Sequence, residues 1–299
     1  MFSEKRLHII LGCLSIVAGL LGIVAFWLVS VQSIETKAFK LPLGFSMSVY
    51  ARDLDNPGAM TWDDKGNLLV ALSNDGKVIA ISDDNKDGIA DKRRTVLKGL
   101  NKPERLAVKC QDPKKCSLIV ASGDNLISFD YDGDSMSADN GSSLARGSDS
   151  SLFASYAVAV DDDSDFCADD TLGENSLLSM FCSASSETFW PDNSDPSAVI
   201  LPKNGWPSDY GYDVLVAFPG TKNLGSPTGY KVARYEFDRE RNYLGQQDFI
   251  TGWLSENGKV TGSPTGLLAG PANQLYVSDL YISDAAAGVI YKATYRDGR

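Results

Sequence analysis

The sequence predicts an all-β chain: a β-propeller of five or six blades, preceded by one N-terminal transmembrane helix. Two observations predict the propeller. First, a short apolar strand ending in a small residue recurs at Asn67-Leu68-Leu69-Val70-Ala71, Ser117-Leu118-Ile119-Val120-Ala121, Asp213-Val214-Leu215-Val216-Ala217 and Gln274-Leu275-Tyr276-Val277-Ser278. Second, the copies sit in a fixed order, each with a second strand after it and three or four with a proline-led apolar segment before it. Units of three or four antiparallel strands at irregular spacings of roughly 40–60 residues mark a propeller, whose blades bury their faces only by stacking around an axis.

In chain order, the opening segment Ser46-Met47-Ser48-Val49-Tyr50 is expected to join the last blade, because a ring that shares one sheet between its two chain ends resists opening. The first blade follows from Pro57-Gly58-Ala59-Met60 through the strand at 67–71 to a second strand at 77–82. Pro103-Glu104-Arg105-Leu106 opens the next blade, with a second strand at 125–131. A degraded copy at 175–184 keeps the apolar run of Leu177-Leu178-Ser179-Met180-Phe181 and loses its ending. Pro196-Ser197-Ala198-Val199 leads into the copy at 213–217 and a strand at 230–237. Pro264-Thr265-Gly266-Leu267 leads into the copy at 274–278 and a strand at 288–295.

Residues 9–31 carry no charge, a run long enough to cross the ~30 Å hydrocarbon core as a helix. Lys5 and Arg6 precede it, so the N-terminus is expected in the cytoplasm and the remainder outside it. The organisation expected is therefore 1–34 as cytoplasmic stub and membrane anchor and 35–299 as an exported propeller on the periplasmic or extracellular side of the cell membrane. The rival reading, a cleaved signal peptide, calls for a shorter apolar core of about 7–15 residues.

Export favours disulfides over metal thiolates. Cys110 and Cys116 flank a turn-forming insert and are expected to close a hairpin, Cys167 and Cys182 to bracket an acidic connection, and Cys13 to stay unpaired. Zinc has little support, since there is no Cys-x-x-Cys pair and the single histidine, His8, precedes the anchor. With a net charge of −11, the chain is a poor nucleic-acid ligand. The partners expected are the membrane, through the N-terminal helix, and a protein or glycan at the propeller face. The acidic run Asp161-Asp162-Asp163, with Asp165, Asp169 and Asp170, reads as a solvated loop or as a scavenger of divalent cations.

A sharper metal candidate is the stretch from Asp83 to Asp91. Asp83, Asn85 and Asp87 stand at positions one, three and five of an EF-hand-like loop, Gly88 supplies the turn, and Asp91 stands at nine. Position twelve, where a bidentate glutamate completes the cage, is Arg94, which excludes a full high-affinity site. Asp83, Asn85, Asp87 and Asp91 are expected either to surround a structural calcium ion or to form a turn that bonds its own backbone.

Leu41-Pro42-Leu43-Gly44-Phe45-Ser46, Asp87-Gly88-Ile89-Ala90-Asp91 and Gly99-Leu100-Asn101-Lys102-Pro103 resemble, in order, the opening blade of the PQQ-dependent glucose/sorbosone dehydrogenase-like propellers. A stronger match runs through Pro227-Thr228-Gly229-Tyr230-Lys231-Val232-Ala233-Arg234, then Asp248-Phe249-Ile250-Thr251-Gly252-Trp253-Leu254, then Gly262-Ser263-Pro264-Thr265-Gly266. The resemblance implies a six-bladed propeller that holds pyrroloquinoline quinone above calcium, with a histidine as the base for alcohol oxidation.

The departures fall on that chemistry. Where relatives read His-Gly-Ser-Trp-Asn-Arg, this chain reads Pro219-Gly220-Thr221-Lys222-Asn223-Leu224, and no histidine follows His8. A tricarboxylate quinone also needs clustered cations, and the candidates are Lys222, Lys231, Arg234 and Arg105. No catalytic residue is assigned and PQQ is not expected, so the leading expectation is a non-catalytic binding or assembly module. The alternative is a PQQ-dependent sugar or alcohol oxidoreductase.

Overall fold

The computed structural model of the chain describes residues 39–112, 115–146, 197–201, 205–211, 213–221, 226–239, 242–271 and 279–296. Among these residues the architecture is all-β: four four-stranded antiparallel sheets and one helical turn at Ser208–Tyr210. Sheet one runs β2 (Pro57–Trp62), β3 (Leu68–Leu72), β4 (Lys77–Ser82), β5 (Lys92–Lys98). Sheet two runs β6 (Pro103–Asp112), β7 (Lys115–Ser122), β8 (Asn125–Asp132), β9 (Ser137–Arg146). Sheet three is β10 (Ala198–Ile200), β11 (Val214–Phe218), β12 (Lys231–Phe237), β13 (Tyr243–Ile250). Sheet four is β14 (Pro264–Ala269), β15 (Asp279–Asp284) and β16 (Val289–Tyr295), and its outermost strand is β1 (Phe45–Ala51) from the other end of the chain.

That last pairing is the closure expected from the sequence. β1 lies antiparallel to β16, from Phe45 opposite Tyr295 to Ala51 opposite Ile290. The proline-led segments become the first strands β2, β6 and β14. Proline has no N–H to give a ladder and is tolerated at the first position of a strand, and in all three sheets the register shifts immediately after it.

The second strands β3 and β11 are apolar throughout because both of their faces are covered. All five residues of β3 are buried. Leu68, Val70 and Leu72 face a core shared with sheet four, alongside Tyr50, Met60, Ile81, Tyr281 and Ile290. Leu69 and Ala71 face the other way, into a core shared with sheet two that holds Leu106, Leu118, Val120 and Tyr131. Each fully buried leucine stabilises this stacking by about 1.5–3 kcal/mol.

Polar contacts tie the sheets in the order two, one, four, three. Ser73 Oγ donates to Pro103 O at 2.7 Å, and the Tyr131 hydroxyl to Asp63 Oδ2 at 2.8 Å, joining sheets one and two. Trp62 Nε1 donates to Ala269 O at 2.7 Å and Ser283 Oγ to Gly58 O at 2.8 Å, joining one and four. Leu267 N donates to Ser197 Oγ at 2.9 Å, joining four and three. In sheets one and four a serine at or just beyond the end of the second strand, Ser73 or Ser283, reaches the first strand of the next sheet.

One strand differs from its expected place. The fourth copy, expected at 274–278, lies outside the described residues, and the strand paired between β14 and β16 is Asp279–Asp284. The sequence carries the pattern twice in succession, as Leu275-Tyr276-Val277-Ser278-Asp279 and Leu280-Tyr281-Ile282-Ser283-Asp284. The second frame puts Ser283 at the strand end and leaves a short hairpin to Val289. Gly288 closes it at φ +67°, where a Cβ would meet Leu54 O at 2.4 Å.

The span at 9–31, the degraded copy at 175–184, the acidic run at 161–170, Cys13, Cys167 and Cys182 lie outside the described residues. Among the described residues no helix is long and apolar enough to cross a membrane. Cys110 and Cys116 are register partners on β6 and β7 and form the expected disulfide.

Candidate functional site

The loop from Asp83 to Asp91 joins β4 to β5 and gathers all four predicted metal residues. Asp83 accepts from Asp87 N at 3.2 Å and Gly88 N at 2.9 Å, while Asn85 Oδ1 accepts from Asp87 N at 2.8 Å. Asp87 Oδ1 accepts from Ile89 N at 2.8 Å and Asp91 Oδ2 from Asn85 N at 3.0 Å. The Asn85 amide nitrogen stands in the middle and donates to Asp87 and Asp91, each at 3.2 Å.

The loop also crosses to the ring-closing strand. Ala90 N donates to Tyr50 O at 2.9 Å, and burial together with the charges of Asp83 and Asp91 pushes the Tyr50 hydroxyl well above its ordinary pKa. Asp84 pairs with Lys92, whose hydrogen bond holds its carboxyl below the usual range. Chemically the loop offers hard oxygen donors of the kind calcium takes. In this arrangement the amide N–H groups of Asn85 hold the carboxylates apart. The one group of three carboxylate or thiol ligand atoms within 4.8 Å of one another among the described residues is Asp64, Cys110 and Cys116, and its sulfurs are joined in the disulfide.

The second candidate is the connection from β11 to β12, which carries Pro219. Gly220 and Gly229 adopt φ of +85° and +83°, and buried Tyr230 adopts +55°, a left-handed conformation unusual for a bulky residue. A Cβ on Gly220 would lie 2.4 Å from the Tyr230 ring, so glycine is required there. Thr221 and Thr228 exchange backbone hydrogen bonds of 2.9 and 3.1 Å. Pro219 O accepts from Ser263 Oγ at 2.8 Å.

Behind Ser263 lies Asp284, fully buried, which accepts from Ser263 N at 2.7 Å, Trp253 Nε1 at 2.8 Å and Ala287 N at 2.9 Å. Burial pushes its carboxyl above the ordinary value in spite of these donors. Sequence reasoning did not single out Asp284. Its signal was the glycine at 262, where a Cβ would stand 2.0 Å from Asp284 Oδ2.

The cations proposed for a quinone cradle do not form one. Arg234 is buried against the Tyr210 ring, 3.5 Å from its centroid, and donates to Asp213 and to Asp209 O. Burial raises the Asp213 carboxyl while Phe237 N and Arg234 pull it down. Lys231 pairs with Asp248, Arg105 is half-buried and already engaged, and Lys222 lies outside the described residues. Arg234, Lys231 and Arg105 are thus each committed to another partner.

The family model described as "Domain of unknown function (DUF7133)" matches residues 32–154. No curated protein matches the chain. Among solved structures, the holo PQQ domain of pyranose dehydrogenase from Coprinopsis cinerea is 16% identical, covers 86% of this chain and 97% of its own, and superposes with a TM-score of 0.54. Structures of a carbohydrate-active enzyme of family AA12 from Trichoderma reesei are 11% identical. Its calcium structure covers 88% of this chain and 98% of its own at TM-score 0.56, and its iodide structure 88% and 99% at 0.57. At these identities the similarity shows the fold alone, an all-β, propeller-like architecture shared with these structures.

Proposed function

We propose that this chain is a membrane-anchored, extracytoplasmic propeller of five or six blades that acts as a binding or assembly module for a protein or glycan and has lost PQQ-linked sugar oxidation. The observation that carries this reading is the β11–β12 connection. Pro219 stands where relatives place the catalytic histidine, its carbonyl is tied to Ser263, and no histidine follows His8 in the chain. Loss of a general base costs ~10²–10⁴-fold in rate. The test is a dye-reduction assay with added PQQ, calcium and a panel of aldoses and alcohols, together with equilibrium binding of PQQ. No turnover is expected. Turnover abolished by replacing a single aspartate within 161–170 would overturn the reading and restore the oxidoreductase.

The anchor is residues 9–31, with 1–34 and 35–299 as the two parts of the chain. Its support is the uncharged run behind Lys5 and Arg6. Membrane-extracted protein whose N-terminus begins beyond residue 31 would refute it.

Calcium, if bound at the Asp83–Asp91 loop, plays a structural part. A turn of the Asn85 side chain exchanges its two N–H donors for Oδ1 and leaves Asp83, Asp87 and Asp91 facing a cation. The support is the donor set and the contact from Ala90 to Tyr50 on the closing strand; the Trichoderma reesei relative was solved in a calcium form. Calcium at about ten times its dissociation constant adds about 1.4 kcal/mol of stability. Millimolar calcium is therefore expected to raise the melting temperature of the wild type and to leave Asp87→Ala unmoved. An equal response in both refutes the site.

A further inference from the structure

β5 is the outer edge of sheet one, and its first three residues, Lys92, Arg93 and Arg94, are all cations in a chain of net charge −11. Edge-strand cations ordinarily serve to block strand addition. These three also wall a space: with Asp134, Ser135 and Met136 from the β8–β9 turn they line an open groove of about 570 Å³. That volume lies inside the ~300–1,000 Å³ range of small-molecule sites.

The groove is built from fixed parts. Arg93 donates to Arg52 O at 2.5 Å and to Asp53 O at 3.0 Å, and Lys92 pairs with Asp84. Ser135 Oγ donates to Asp132 at 2.6 Å, which sets the turn. Met136 packs against the core between sheets one and two and holds φ +49°, left-handed for a bulky residue, which costs on the order of 1–3 kcal/mol. The Arg94 side chain is exposed, and no hydrogen bond or ion pair engages it among the described residues. This is so although Asp83, Asp87 and Asp91 lie just before it, bonded to their own loop.

We propose that this groove binds a sugar acid, a carboxylate carried on a hydroxylated ring. Arg94 supplies the planar, two-pronged donor that suits a carboxylate, and Lys92 and Arg93 add positive charge beside it. Asp134, 81% exposed at its side chain and paired through Oδ1 with Lys65 Nζ at 3.7 Å, keeps Oδ2 as an acceptor for ring hydroxyls, and the apolar face of Met136 offers a surface to ring C–H groups. A bare anion would use the cations and leave Asp134 as a repulsive neighbour.

Isothermal titration of the full chain at low salt decides the matter, with three probes: a glucuronate-containing disaccharide, the matching neutral disaccharide, and inorganic phosphate. The acidic disaccharide is expected to bind saturably and more weakly as salt rises, and the other two at least about ten-fold less well. Arg94→Ala is expected to weaken binding on the order of ten- to a hundred-fold, with partial recovery in Arg94→Lys. Lys98→Ala, an exposed cation on the same strand outside the groove, is expected to bind as wild type. Absence of saturable binding at millimolar ligand, wild-type affinity in Arg94→Ala, or phosphate binding as tightly as the acidic sugar would each overturn the proposal. Unchanged melting temperatures of these surface variants confirm that the comparison is between folded proteins.

Discussion

The seam between sheets one and four can be probed with two glycines that differ in one respect. Neither Gly58 nor Gly266 has a positive φ, so alanine meets no backbone penalty at either. A Cβ on Gly266 would stand 2.5 Å from Gly58 O and 2.7 Å from Ser283 Oγ, the two atoms of one seam hydrogen bond. A Cβ on Gly58 meets nothing nearer than Ser73 Oγ at 3.7 Å. Overpacking costs about 1–3 kcal/mol, and loss of the Ser283 bond about 1 kcal/mol more. Gly266→Ala is therefore expected to lose about 2–4 kcal/mol, and at ~2–4 °C per kcal/mol its melting temperature falls by about 4–16 °C. Gly58→Ala is expected to be neutral or to gain up to about 1 kcal/mol through the unfolded chain. Urea unfolding followed by tryptophan fluorescence reads both variants, since Trp62 is bonded across the same seam. Equal midpoints for the two alanines would show that the sheets do not meet as described.

Replacing both Cys110 and Cys116 by serine is expected to cost about 2 kcal/mol, the value for a loop of this short length. The measurement is urea unfolding, with a non-reduced digest of the wild type confirming the bond. Asp284 gives a pH signature. Its folded pKa is raised by burial above the ordinary 3.8, so folding favours the protonated carboxyl. Its contribution is complete below about pH 4 and is lost as pH rises through the folded value. The stability of wild type minus that of Asp284→Asn is expected to fall as pH climbs above about 4. A difference that stays flat or increases with pH refutes the assignment.

Much of the fold was legible because propeller strands advertise themselves. A second strand buried on both faces tends to an unbroken apolar run, as Leu68–Leu72 shows, and a first strand that opens on proline is marked in the sequence. The closure by β1 was legible for a topological reason. The frame of β15 was not, because the chain repeats its own motif five residues apart and only pairing with β14 and β16 distinguishes the copies. The acidic loop was legible as a set of residues, while the amide of Asn85 between two of its carboxylates was not. The groove at Arg94 escaped notice since it joins residues some forty positions apart on two sheets, and each half alone looks like solvated charge.

The segments that carry the resemblance to sugar dehydrogenases have a common place in the structure, and that place explains how chemistry and fold can part. Trp253 and Ser263, from two of the matching segments, converge on Asp284, and Gly262 leaves room for its carboxylate. Ser263 in turn holds the Pro219 carbonyl, and Tyr230, from the third segment, packs over Gly220. These residues shape and brace the β11–β12 connection through backbone carbonyls, backbone N–H groups and glycine gaps. None of those contacts depends on the side chain at 219. The side chain at 219 can therefore change without disturbing a single bracing bond, so the bracing residues can persist independently of it. A resemblance resting on such bracing residues is therefore strong evidence for the propeller and weak evidence for the reaction.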